Sequence, residues 1–144
     1  MTTELPLAGM AALVTGGAGG IGSACARSLA KDGAAVTLMG RTKGALEATV
    51  DTLRAELGDH ATLGWFAGDA LVAEDVQAAV DQASASLGGL HICVATVGGG
   101  TIAPFLAVEA DGLLEDLRRN IVGAFLAIKY AVPAMVATGG GAIV

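Results

Sequence analysis

Apolar residues fall into two alternating patterns along the chain. Short continuous runs, Met10 to Val14, Ala34 to Met39, Ala61 to Ala67 and His91 to Val97, predict strands. Between them, apolar residues recur at three- and four-residue intervals. Ile21, Ala24, Cys25, Ser28 and Leu29 form one such stripe, Leu46, Val50, Leu53 and Leu57 a second, and Val76, Val80, Ala83 and Leu87 a third. Gly33 and Gly58 stand where the first two helices need a terminating residue. A long helical region is predicted from about Ala110 to Val136, and Ala142-Ile143-Val144 begins a fifth strand. Near-continuous apolar strands alternating with helices are the pattern of an α/β fold whose parallel sheet is covered on both faces. No linker, repeat or low-complexity tract interrupts it, so 1–144 reads as one domain. The pattern breaks off in an apolar run after Gly139-Gly140-Gly141, and the domain is expected to be incomplete, cut short after the start of its fifth strand.

The richest local signal joins the first strand to the first helix: Thr15-Gly16-Gly17-Ala18-Gly19-Gly20-Ile21-Gly22. Residues without a Cβ let backbone N–H groups approach a phosphate, and the positive end of the following helix favours the anion. A dinucleotide is the expected ligand. At the end of the second strand an acidic side chain would accept hydrogen bonds from the adenosine ribose, whereas a basic one pairs with a 2′-phosphate. The chain has Gly40-Arg41-Thr42-Lys43 there, which favours NADP, with NAD as the alternative.

Charge and composition narrow the class. A net charge of −6, 53% hydrophobic residues and 22 glycines leave no basic footprint for nucleic acid. No basic region precedes the first apolar run, so no secretory signal is expected. The apolar stretch Ile121 to Ala137 is short for a membrane span and contains Lys129 and Pro133, which predicts a buried helix and no membrane partner. Cys25 and Cys93 have neither metal-ligand nor disulfide spacing, and a reducing cytoplasm suits them. His60 and His91 lack acidic and nucleophilic partners in a recognisable order, so neither a triad nor a metal site is built from them.

The spacing of Thr15, Gly16, Gly20 and Gly22 resembles the short-chain dehydrogenase/reductase family, and the resemblance runs from about Leu7 to Val144, the first half or so of a typical member. It implies a Rossmann-like doubly wound sheet. It also implies that Gly16, Ala18, Gly19, Gly20, Ile21 and Gly22 contact the cofactor, with Thr15 tying the loop to a neighbouring strand. Asp69 matches the family aspartate that receives the adenine amino group, and Ala70 supplies a backbone contact beside it. Where the family shows Asn-Asn-Ala-Gly, this chain has Ala95-Thr96-Val97-Gly98. Gly98 is retained and Thr96 keeps a hydroxyl near the ribose, but Ala95 cannot replace an amide's hydrogen bonds. Asn120, within Arg118-Arg119-Asn120-Ile121, matches the asparagine of the catalytic tetrad, which bends the long helix and holds a water beside the active lysine.

Hydride transfer to a carbonyl needs a proton donor, which the family supplies as a Tyr-x-x-x-Lys pair with a nearby serine. Tyr130 directly follows Lys129, so the two point about 100° apart on a helix and cannot form that pair. The resemblance thus implies an NAD(P)-dependent oxidoreductase acting on a small alcohol or ketone. These 144 residues are expected to carry its cofactor-binding portion and to be inactive alone. The alternative is a catalytically silent nucleotide-binding or assembly module. Family members are commonly dimers or tetramers built on the long helix, so a homo-oligomer is expected.

Overall fold

The computed structural model describes residues 5–144. Five parallel strands form one sheet: β1 (Ala11–Thr15), β2 (Ala35–Gly40), β3 (Leu63–Ala67), β4 (Ile92–Ala95) and β5 (Ala142–Ile143), in the order β3-β2-β1-β4-β5. After β3 the chain crosses over and lays β4 on the other side of β1, so the strand order reverses at β1. Register is set by full rows of partners, with Thr15 opposite both Met39 and Ala95 at the carboxyl ends.

The helices are α1 (Gly20–Lys31), α2 (Lys43–Leu57), α3 (Ala73–Ala85) and α4 (Ala110–Val136). Strand residues alternate between the two layers they create, because successive side chains point to opposite faces. Ala12, Val14, Val36 and Leu38 pack with Ala26, Ala30, Leu46, Val50 and Leu53 of α1 and α2. Leu13, Met39 and Cys93 pack with Val76, Val80, Leu126 and Ala131 of α3 and α4. Both faces are therefore covered, as the strand pattern predicts.

Three local expectations are corrected. The sheet-facing row of α1 is Gly22, Ala26 and Ala30, flanked by half-buried Cys25 and Leu29; Ile21, Ala24 and Ser28 face outward. The row begins at Gly22 because a Cβ there would overlap the Gly16 carbonyl oxygen, so only glycine lets the helix start this close beneath the loop. Leu87 is not on the core face of α3, which ends at Ala85; it lies exposed in the turn that Gly88 closes with φ +72°. Nor is α4 a fully buried helix. Gly123, Leu126, Ala127, Ala131 and Met135 meet α3 and β4, while Leu114, Ile121, Phe125 and Ile128 on other faces are exposed. By length and composition α4 could cross a membrane, and in this fold it is the flank of the sheet. A short 3-10 turn, Phe105–Ala107, precedes it.

Candidate functional site

A cavity of about 530 Å³ opens at the carboxyl ends of β1, β2, β3 and β4, where the strand order reverses. Ligands of open α/β sheets bind in such a crevice. Its floor is the glycine loop: Gly16 at φ +68° turns the chain out of β1, and the loop is closed by a hydrogen bond from the Gly19 N–H to the Gly16 carbonyl at 2.9 Å. The first intrahelical bond of α1 runs from the Ser23 N–H to the Gly19 carbonyl, so the amides of Gly20, Ile21 and Gly22 precede it. Gly20 faces open space. These amides, at the positive end of α1, are suited to an anion.

Of the residues expected to bind a cofactor, Gly16, Ala18, Gly19, Arg41, Asp69, Ala70, Thr96 and Gly98 line this one cavity. Gly20, Ile21 and Gly22 do not. Gly22 is buried beneath the loop, and Ile21 stands 73% exposed at the head of α1. Arg41 is exposed at the end of β2 and makes no ion pair among the described residues. Lys43, two residues on, is engaged elsewhere, 3.7 Å from Glu47 and over the Trp65 ring.

Asp69 is half-buried and shaped by its neighbours. Its own N–H donates to Asp75 Oδ2 at 2.8 Å, and its Oδ1 accepts from the Leu71 N–H at 2.9 Å, an Asx turn that holds the loop before α3. One carboxylate oxygen is left over from that turn. Thr96 donates from Oγ1 to the Thr15 carbonyl at 2.6 Å, so its hydroxyl is turned into the fold and ties β4 to β1. The tie at residue 15 thus runs through the backbone. The Thr15 side chain does not make it, since its buried Oγ1 has no hydrogen-bond partner among the described residues.

Asn120 stands outside the cavity wall. Its Oδ1 accepts from the Gly99 N–H at 3.1 Å, while its Nδ2 donates to the Gly99 carbonyl at 2.5 Å and to the Asp116 carbonyl at 2.7 Å. The carboxamide clamps α4 to the loop after β4. That gives a mid-helix asparagine its physical reason. Tyr130 and Lys129 do not line the cavity: Tyr130 packs on the α3–α4 core, with the Lys129 ammonium 5.6 Å from its ring centre. His91 accepts the Ala11 N–H at Nδ1, a structural use.

Sequence reading missed Gly40, Thr42, Ala45, Gly68, Leu71, Val97 and Arg119 in the wall. Most are neighbours of residues already singled out. Arg119 carried one legible signal, a second arginine beside Asn120 on a helix otherwise rich in apolar residues.

A family model described as short chain dehydrogenase matches residues 10–144. The D-threitol dehydrogenase of Mycolicibacterium smegmatis is 36% identical over 141 residues, 98% of this chain and 53% of that protein. Among solved structures, the L-sorbose reductase of Gluconobacter frateurii, complexed with NADPH and L-sorbose, matches with a TM-score of 0.85 and 28% identity over 98% of this chain and 53% of that one. An NAD+-bound xylitol dehydrogenase gives 0.86 and 28% over 96% and 52%. The chain spans about half the length of the curated relatives it matches.

Proposed function

This chain belongs to the short-chain dehydrogenase family, and on that premise we propose that it forms the dinucleotide-binding portion of an oxidoreductase that acts on a small alcohol or carbonyl compound. One observation carries the reading: Gly16, Ala18 and Gly19 of the glycine loop, Arg41 and Asp69 line one cavity at the point where the sheet order reverses. In this reading the amides from Gly19 to Gly22 hold the diphosphate. The free oxygen of Asp69 accepts from the adenine amino group, and the Ala70 backbone lies along the same edge. Thr96 and Gly98 border the ribose of the nicotinamide half. Arg41, with no ion pair among the described residues, pairs with a 2′-phosphate, so NADP is preferred to NAD.

The bound nicotinamide would supply the hydride donor or acceptor. Among the described residues, no tyrosine, lysine or serine stands in the cavity wall to exchange the proton that must accompany hydride transfer. Asn120 supports such a site indirectly, by fixing the loop at Gly99 against α4. Residues 1–144 alone are therefore proposed to bind cofactor without turning over substrate. The free thiols of Cys25 and Cys93 favour a reducing cytoplasm. A second reading, a silent nucleotide-binding or assembly module, is favoured by one feature: the Thr96 hydroxyl is spent on the Thr15 carbonyl.

Calorimetric titration of the 144-residue chain with NADPH and NADH tests the proposal. NADPH is expected to bind more tightly. Arg41→Ala should weaken NADPH roughly tenfold and leave NADH unchanged, since a charge-assisted contact is worth on the order of 1.5 kcal/mol or more. Gly20→Asp should abolish binding of both, with an unchanged circular dichroism spectrum. NADPH consumption that depends on an added ketone and disappears in Gly20→Asp would refute the claim that these residues are inactive alone.

A further inference from the structure

We propose that Arg119 closes the adenine end of the cavity, laying its guanidinium plane over the exposed face of the purine, and so contributes to binding of NAD and NADP alike. The inference rests on the dinucleotide reading above. Arg119 is one turn before Gly123 on α4, and residues four apart share a helix face. At Gly123 that face meets the loops after β3 and β4: a Cβ placed there would lie 3.6 Å from Leu71 Cδ2 and 3.6 Å from Val97 Cγ1. One turn toward the helix start, Arg119 lines the same cavity as Asp69, Ala70 and Leu71.

The helix beneath it is anchored. The neighbouring Asn120 carboxamide bonds both backbone groups of Gly99, and the Arg119 side chain runs along that glycine, with Cδ and Nη1 each 3.7 Å from the position a Cβ would take. Its charge is little engaged. The nearest carboxylate is Glu115 at 4.0 Å, which also faces Arg118 at 3.8 Å, and all three side chains are between 41% and 54% exposed. Ion pairs of that kind hold weakly. A purine held by its edge at Asp69 and Ala70 presents one face toward α4, and the group waiting on that side is planar, cationic and loosely hydrated. Such a group stacks on aromatic faces where an ammonium acts only as a point charge.

The test measures NADH and NADPH affinity of the full-length protein at low and high salt for the native chain, Arg119→Ala, Arg119→Tyr, Arg119→Lys and Gly20→Asp. Arg119→Ala is expected to weaken both cofactors equally, roughly tenfold, with the loss persisting in high salt. Arg119→Tyr, which restores a planar stacking group, should recover most of it. A change below about twofold in Arg119→Ala would overturn the inference while leaving the dinucleotide reading intact, provided Gly20→Asp still abolishes binding. Loss confined to NADPH, or recovery by Lys and not by Tyr, would also overturn it, showing a contact with phosphate. Failure of the folded native protein to bind either cofactor would remove both readings.

Discussion

Two threonines at the mouth of the sheet show why residue type alone misleads. Thr15 opens the glycine loop and has the look of a tether, yet its buried hydroxyl finds no partner among the described residues, while Thr96, in a place that departs from the family pattern, donates to the Thr15 carbonyl at 2.6 Å. A buried hydroxyl without a bond carries a desolvation cost, and a bonded one contributes about 1 kcal/mol. Thr15→Val is therefore expected to leave the thermal midpoint unchanged or raise it, and Thr96→Val to lower it by several degrees. A differential scanning calorimeter resolves the two; the reverse order would show that the tether runs through the Thr15 side chain. Arg41 and Asp69 were legible because each ends a strand run, where side chains enter the crevice. Arg119 was not, because only the packing of Gly123 on Leu71 and Val97 reveals which way that helix face looks.

Helix α4 carries the largest conflict between pattern and environment. Its inner row meets α3 and β4, yet Phe125 is 57% exposed, and Leu114, Ile121 and Ile128 are exposed with it. A contiguous exposed apolar face of this kind marks an interaction surface. Self-association through this face is the expected outcome. Phe125→Glu combined with Ile121→Glu should shift the sedimentation profile toward monomer without altering cofactor affinity, since neither residue lines the cavity. An unchanged profile would place the contact elsewhere. The helical period predicted α4 and its extent, but period alone cannot say how much of the circumference is covered. α1 shows the same limit: its stripe was displaced by one position because the close approach at Gly22 decides which row faces the sheet.

The whole molecule responds to pH through its centre. Burial against α3 and α4 raises the Cys93 thiol from its ordinary value of 9.0 to about 11. The folded state thus holds this proton more tightly than the unfolded chain. Its contribution to stability is fully present below pH 9 and is lost as pH rises toward 11. Urea midpoints should accordingly fall between these two values, and Cys93→Ala, although less stable overall through its lost packing, should fall less steeply. Native Cys93 should also resist alkylation at pH 8, in contrast to half-buried Cys25. Sequence by itself determined the α/β class, the sequence of strands and helices, the glycine loop and the charged residues at the strand ends. These follow from local rules: the period of burial, the conformations open to glycine, and the reach of a side chain from a strand terminus. Tertiary structure alone decided which threonine holds β1 to β4, which row of α1 lies on the sheet, how much of α4 is left uncovered, and that Arg119 joins the crevice wall. Each of those depends on how elements far apart in the chain approach one another, and that approach is set by packing between surfaces that no single segment contains.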